Sequence, residues 1–470
     1  MTSLQLVQLY VDRISAYNHS LRAILELNPD AETIARQLDE ERQAKGSRGP
    51  LHGIPLLIKD NMDTGDRMHT SAGALALAES CAAADSFVVG RLRMAGAVLL
   101  GKTNMTEWAN FMSNTMWAGY SSRGGQTKNP FGPGEIFVGG SSSGSASAVS
   151  ANLAAAAIGT ETSGSIISPA SYNGVVGLKP TVGLVSRSGI IPISWTQDSA
   201  GPITRTVMDA AILLSVISGT DERDPVTATD RAQGELDYTA FLHAAALKGK
   251  RIGVPRRYCE RLDEARIAIL DSAIEALRMA GAEVVDPVEL PGELVNWDGK
   301  ILRYEFKKGV NDYLAQTAKG LPVHSLDELI AFNEAHSVEA LKYGQSTLVW
   351  ANETSGQLTE PEYWESLQDD RILAGERGID WTLEHYRLDA LVSLGDEGGN
   401  DSAAIAGYPA ITVPGGWADT GIIDPDGGYS TRGPHGITFI GTAFSDGTLL
   451  GIAYAYEQTT RHRKPPEMYG

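Results

Sequence analysis

A chain of 470 residues, 42% of them hydrophobic, can bury a large core and is long enough for up to three domains. Its 58 acidic against 39 basic side chains leave a formal charge of −19, which repels polyanions and excludes a nucleic-acid-binding surface. Two cysteines far apart, Cys81 and Cys259, exclude a disulfide framework, and no apolar run reaches the roughly 18 residues of a membrane span.

In chain order, residues 4–17 carry apolar side chains at helical spacing (Leu6, Val7, Tyr10, Val11, Ile14) and predict an amphipathic helix. The first residues lack the basic start and apolar run of a signal peptide, so a cytoplasmic location is expected. Met1 stands at the very start of that helix, and further residues are expected ahead of it in the natural chain. Residues 31–45 predict a second, charged helix. Residues 56–59 and 97–101 predict short buried strands bounded by Gly and Asn. Residues 145–157 are Ala-rich with small side chains on every face and predict a helix that packs close to neighbouring backbone. Strands and turns follow at 175–178 and 189–192, helices at 207–214, 263–280 and 324–335, and strands again at 389–392 and 410–413. No linker and no internal repeat interrupts this alternation, which predicts an α/β fold with a mostly buried sheet, taken as one domain over 1–470.

Three motifs compete for the chemistry. Residues 96–103 match the phosphate-loop pattern GxxxxGK[ST]. A phosphate loop needs exposed amides that curl round the anion and open a helix, whereas Ala97, Val98, Leu99 and Leu100 favour a buried strand. Lys102 is therefore expected at a strand end rather than on a phosphate. Gly140-Ser141-Ser142-Ser143-Gly144 fits the nucleophile elbow GxSxG, after a strand-like 136–138 and before a helix. That reading makes Ser142 the nucleophile and needs a later histidine. The candidate is His435, but its Gly/Pro-rich surroundings at 432–436 predict a surface loop. None of the nine histidines has metal-ligand spacing.

The third motif is a lysine and a serine-rich block. Lys59 follows Leu56, Leu57 and Ile58, so burial should disfavour its ammonium form and make it a base. Between Gly139 and Thr181, Gly and Ser are far denser than a core needs, in two loops either side of the Ala-rich segment. Serines on tight turns beside a buried lysine are the materials of a Ser-nucleophile, Lys-base hydrolase.

This block resembles the amidase signature. In that family a lysine, a serine held by a cis peptide bond and a nucleophilic serine act together, the two serines 24 positions apart. Lys59 matches the lysine in its apolar-Lys-Asp context, Ser141 the cis serine and Ser165 the nucleophile in Thr162-Ser163-Gly164-Ser165. Gly177-Leu178-Lys179-Pro180-Thr181 completes the signature core, about 50–215. The resemblance implies a large mixed twisted sheet covered by α-helices on both sides, and an acyl-enzyme on Ser165. It also implies an oxyanion hole from the amides of Thr162, Ser163, Gly164 and Ser165, substrate contacts at Ser142, Gln197 and Asp198, and no metal or other cofactor. At finer grain, Ser194-Trp195-Thr196-Gln197-Asp198-Ser199-Ala200-Gly201-Pro202 resembles the SxxQDxAGP segment of peptide amidases, where tRNA-dependent amidotransferases typically read SLDQxGP.

The expected function is hydrolysis of a primary carboxamide, a C-terminal peptide amide or similar small acyl amide, by a monomer or homodimer needing no partner protein, nucleic acid or membrane. The alternatives are an amidotransferase A-like component that hydrolyses glutamine and a non-catalytic ligand-binding relative. Two departures from the peptide amidase pattern bear on the substrate: the short turn at 393–400 and the additional residues at 419–434.

Overall fold

Lys59 closes a strand in which every residue is buried, and the sheet around that strand positions the site. The computed structural model describes residues 1–228, 237–291, 297–423 and 429–467. Its strands are β1 (Ile24–Leu27), β2 (Pro55–Lys59), β3 (Val98–Thr103), β4 (Tyr120–Ser121), β5 (Gly125–Gln126), β6 (Ala156–Glu161), β7 (Val176–Lys179), β8 (Ser199–Thr204), β9 (Arg251–Gly253), β10 (Glu283–Val285), β11 (Ala390–Leu394), β12 (Ala410–Ala418) and β13 (Gly433–Ile440). Eleven of them form one sheet in the order β1-β3-β2-β6-β8-β7-β12-β13-β11-β9-β10, while β4 and β5 pair separately. The pairings β3-β2-β6 and β11-β9-β10 are parallel and the others antiparallel, so the sheet is mixed as expected.

Helices cover both faces because alternate strand residues point to opposite sides. Leu56 and Ile58 of β2 enter one core with Leu99, Ile158 and Leu178. That core is closed by α3 (Phe87–Met94), α6 (Val207–Ile217), α7 (Glu264–Met279) and the helix Asp446–Thr460. Leu57 enters the other core with Val98, Leu100, Ala157 and Ile203, under α1 (Ser3–Leu21), α2 (Ala31–Lys45) and α4 (Ser143–Ser150). Helix α1 starts on a capping box: the Gln5 amide donates to Thr2 Oγ1 at 3.1 Å and the Thr2 amide to Gln5 Oε1 at 3.0 Å. No helix among the described residues is long and apolar enough to cross a membrane.

Three expectations change. The Ala-rich helix stops at Ser150, and Ala156 onward is strand β6. Asn152 takes a left-handed turn (φ 57°), and pairing with β2 at the centre of the sheet overrides alanine's helical preference. Of the supposed surface loop at 432–436, residues 433–436 belong to β13, buried between β12 and β11. Gly436 serves close approach there: a Cβ would lie 2.2 Å from Thr412 Oγ1. Residues 136–138 make a single bridge, Ile136 with Ser430, instead of a laddered strand. The turn at 393–400 joins β11 to the helix Asn400–Ala406, and of the additional residues at 419–434, residues 424–428 lie outside the described residues.

Candidate active site

The carboxyl ends of β2 and β6 bring a lysine, a threonine and two serine loops together. Lys59 is fully buried, and its Nζ lies 2.7 Å from Ser141 Oγ, 2.9 Å from Thr160 Oγ1 and 3.2 Å from the Thr160 carbonyl. Burial pulls its pKa from the ordinary lysine range to about 7, against the opposing fields of Asp198 and Glu161. The neutral amine is then accessible near physiological pH. Asn61 Nδ2 donates to the same Thr160 hydroxyl at 3.1 Å and fixes its orientation.

Ser141 follows a cis Gly140–Ser141 peptide just ahead of α4. Its carbonyl accepts from the Thr106 amide at 3.0 Å, so the loop is tied to the segment that leaves β3. Helix α4 approaches this segment closely because its residues are small. The Gly144 amide donates to the Asn104 carbonyl at 3.0 Å, and a Cβ on Gly144 would stand 2.3 Å from two carbonyl oxygens.

Ser165 ends a loop between β6 and α5 (Ile167–Tyr172) and is 6% exposed. Its carbonyl accepts from the Ser142 amide at 3.1 Å, which locks the two serine loops side by side. Glu161 Oε2 accepts from the Ile166 and Ile167 amides at 2.7 and 2.9 Å, satisfying the donors that open α5. Among the described residues, none accepts from the amides of Ser163, Gly164 or Ser165. Gly164 holds a φ of 75°, the left-handed conformation that glycine adopts at no steric cost. The loop thus presents several unpaired donors beside one hydroxyl, an arrangement suited to a developing oxyanion.

The remaining sequence candidates sit around this loop. Ser142 is fully buried; its Oγ donates to the Thr160 carbonyl at 3.0 Å and accepts from the Thr160 amide at 3.2 Å. The Thr162 hydroxyl donates to Asp198 Oδ1, and Gln197 Nε2 donates to the Thr162 carbonyl at 3.3 Å. Asp198 Oδ2 also accepts from the Ile193 and Ser194 amides, each at 2.9 Å, while burial pushes the Asp198 carboxyl up. Ser142, Gln197 and Asp198 therefore brace the strand and loop. Ser163 Oγ donates to Asp401 Oδ1 at 2.6 Å, in the first turn of the helix Asn400–Ala406.

The rival motifs are not assembled. His435 is buried in β13, its Nε2 2.7 Å from the Thr431 carbonyl and its ring against Tyr172, and burial lowers its pKa to about 4. Lys102 lies within β3, and its Nζ donates to the Met62 carbonyl at 2.6 Å and Thr70 Oγ1 at 2.9 Å, so the phosphate-loop match is a buried strand. Among the described residues, no group of three or more His, Cys, Asp or Glu side chains could hold a metal ion.

Residue pattern did not single out Thr160, Glu161 or Asn61. Thr160 and Glu161 directly precede the Thr162 loop, and Asn61 follows Lys59 by two positions. Their types, a hydroxyl, a carboxylate and an amide beside a buried lysine, were the available signal.

Comparison with known proteins gives a consistent result. The family described as Amidase matches residues 5–450. The peptide amidase of Stenotrophomonas maltophilia is 48% identical, with 99% of this chain and 95% of that one covered at a TM-score of 0.89. A probable amidase of Arabidopsis thaliana is 43% identical over 99% of this chain and 88% of its own length. The A component of the glutamyl-tRNA(Gln) amidotransferase of Methylobacillus flagellatus is 32% identical over 99% of this chain and 96% of its own length.

Proposed function

The chain belongs to the amidase family of amide-hydrolysing enzymes, and from that premise we propose that it cleaves primary carboxamides, C-terminal peptide amides or similar small acyl amides, through an acyl-enzyme on Ser165. The observation that carries this reading is Lys59 Nζ at 2.7 Å from Ser141 Oγ with a pKa near 7, beside the unpaired amides of the Ser165 loop. In the forward step neutral Lys59 takes a proton from Ser141 as Ser141 takes one from Ser165. Ser165 Oγ then bonds to the amide carbon, and the oxygen bears the negative charge under the amides of Thr162, Ser163, Gly164 and Ser165. Collapse breaks the C–N bond, and the relay returns a proton to the leaving nitrogen, which departs as ammonia. Water then attacks the ester through the same relay, releasing the carboxylate and restoring Ser165. General acid–base transfer contributes typically 10²–10⁴-fold and each oxyanion donor about 10²–10³-fold.

Likeness to a peptide amidase at 48% identity, against 32% to an amidotransferase component, supports a self-sufficient hydrolase over one that feeds ammonia to a partner. Ser142, Gln197 and Asp198 support catalysis by holding Thr160 and Thr162 in place.

The purified chain is expected to release ammonia from an amidated dipeptide faster than from free glutamine, measured by a coupled ammonia assay. A fluorophosphonate should label Ser165, and Ser165→Ala should lower kcat by at least about 10³-fold. An adduct on Ser142 overturns the assignment of the nucleophile. Glutaminase activity that appears only with partner proteins would establish the amidotransferase reading, and inertness with no serine labelled would establish the ligand-binding one.

A further inference from the structure

Four aromatic rings from three separate segments converge beside the Ser141 loop, and the mechanism above uses none of them. Trp117 stacks on Tyr343 with centroids 5.5 Å apart and meets Tyr429 edge-on at 5.6 Å, while Tyr120 meets Tyr343 edge-on at 4.9 Å. Lys342 extends over this group, its Nζ 4.8 Å from the Tyr120 centroid, 5.0 Å from that of Tyr343 and 6.0 Å from that of Trp117. The rings are half-buried and Lys342 is exposed, so the cluster has a solvent-facing side.

The cluster is hydrogen-bonded to the reaction centre through few steps. The Thr106 amide donates to the Ser141 carbonyl, and the Gly119 amide donates to Thr106 Oγ1 at 2.8 Å. Trp117 and Tyr120 flank Gly119, and the Tyr120 amide closes a turn on the Trp117 carbonyl at 3.1 Å. Ala118 packs against Gly140, where a Cβ would stand 3.3 Å from its own. From the other side, the Phe137 amide donates to the Ser430 carbonyl at 3.0 Å, which places Tyr429 beside the segment leading into Ser141. Tyr343 is held by its backbone, its carbonyl accepting from Thr115 Oγ1 at 2.9 Å. The rings are therefore fixed before any substrate arrives, which lowers the entropy cost of binding on them.

We propose that Trp117, Tyr120, Tyr343 and Tyr429 form the acyl-side subsite, which favours an aromatic side chain on the acyl portion of the amide, and that Lys342 disfavours a cationic one. A flat ring gains stacking and edge contacts on such a wall that an aliphatic side chain does not. The Lys342 ammonium adds a cation–π attraction for an incoming ring and repels a lysine or arginine side chain. This inference rests on the amide-hydrolase reading of the neighbouring serines and adds the side-chain class to it.

The test compares kcat/KM for the N-acetylated amides of phenylalanine, leucine and lysine. The wild type should prefer phenylalanine to leucine by about tenfold, carried mainly by KM. Tyr343→Ala should erase that ratio, and Lys342→Ala should raise the lysine amide relative to the leucine amide by about threefold. Lys342 is exposed, so its variant folds even if Tyr343→Ala does not. Unchanged ratios in both variants, with ammonia still released, would overturn the subsite and leave the hydrolase standing. Should the wild type hydrolyse none of the three, the hydrolase reading fails, and quenching of tryptophan fluorescence by the phenylalanine amide then decides the subsite separately. Quenching lost in Tyr343→Ala supports it; quenching that is absent or unaltered overturns it.

Discussion

Two lysines end up side by side in this fold, and under the proposed mechanism the contrast between them shows what turns a buried amine into a base. Lys59 and Lys102 lie at the ends of the parallel strands β2 and β3, with Ile58 registered against Lys102 and Lys59 against Thr103. Both are fully buried, and burial lowers the pKa of both. Their partners differ. Lys102 lies in the field of Asp60 and Asp63 and donates to a carbonyl and a hydroxyl. Asp60 is held in turn by Ser71, the Gly73 amide and Arg123. Asp60 thus pairs with Arg123, and Thr70 gives its own proton to the Met62 carbonyl at 3.2 Å, so neither partner of Lys102 offers it a proton. Lys59 touches Ser141 and Thr160, whose hydroxyls can accept from an ammonium or donate to an amine, and its two carboxylate neighbours are occupied by the amides and hydroxyl of the Ser165 loop and its supports. Depth alone does not make a base; a partner with a proton to give does.

The largest effect should come from Lys59. Lys59→Ala is expected to lower kcat by at least about 10⁴-fold with unchanged circular dichroism, since relay and base are lost together. The pH profile sharpens the point. Burial depresses the Lys59 pKa to about 7, so the working neutral amine predominates above that pH and is lost as pH falls below it. Wild-type kcat/KM should rise through pH 7 and then level, and residual activity of Lys59→Ala should lack that limb. A limb retained in the variant would assign the base to another group.

Lys102→Met comes next and should act on stability. Removing one partner from a buried ionic cluster costs about 3 kcal/mol, read from urea denaturation. Its folded fraction should keep the limb near pH 7. If the limb moved instead, the two lysines would be one coupled device, and the contrast drawn above would collapse.

The smallest effect belongs to Ser142→Ala, which loses the bond to the Thr160 carbonyl. We expect about 1 kcal/mol of stability and less than tenfold in kcat, checked by the same denaturation and ammonia assays.

Residue pattern carried much of this and failed at identifiable places. The run Leu56-Leu57-Ile58-Lys59 announced a buried strand ending in a buried amine, and the helices over 31–45 and 263–280 lie where periodicity put them. The pairing of Lys59 with Ser141, and of the Ser141 loop with Ser165, came from motif resemblance; the two serine loops are joined by hydrogen bonds that no local pattern encodes. Strand β6 was hidden because Ala154 to Ala157 favour a helix locally, while pairing with β2 and β8 makes Ala156 and Ala157 strand. His435 was hidden because Gly433, Pro434 and Gly436 have the composition of a turn while serving close backbone approach in β13. The aromatic wall was invisible in sequence because its members are more than 300 positions apart, Trp117 from Tyr429.

Thr160 carries a consequence for how this catalyst comes into being. Its hydroxyl and carbonyl meet Lys59 from 101 positions away in sequence, and its carbonyl and amide meet Ser142 from 18. Closing the longer loop loses only slightly more chain entropy than a short one, but it must be closed before any of these contacts can repay it. The chain therefore has no stage at which a fragment ending before β6 is a weak amidase. Activity is expected only once β2 and β6 have paired, and the onset of amide hydrolysis during refolding sets a latest time for that pairing.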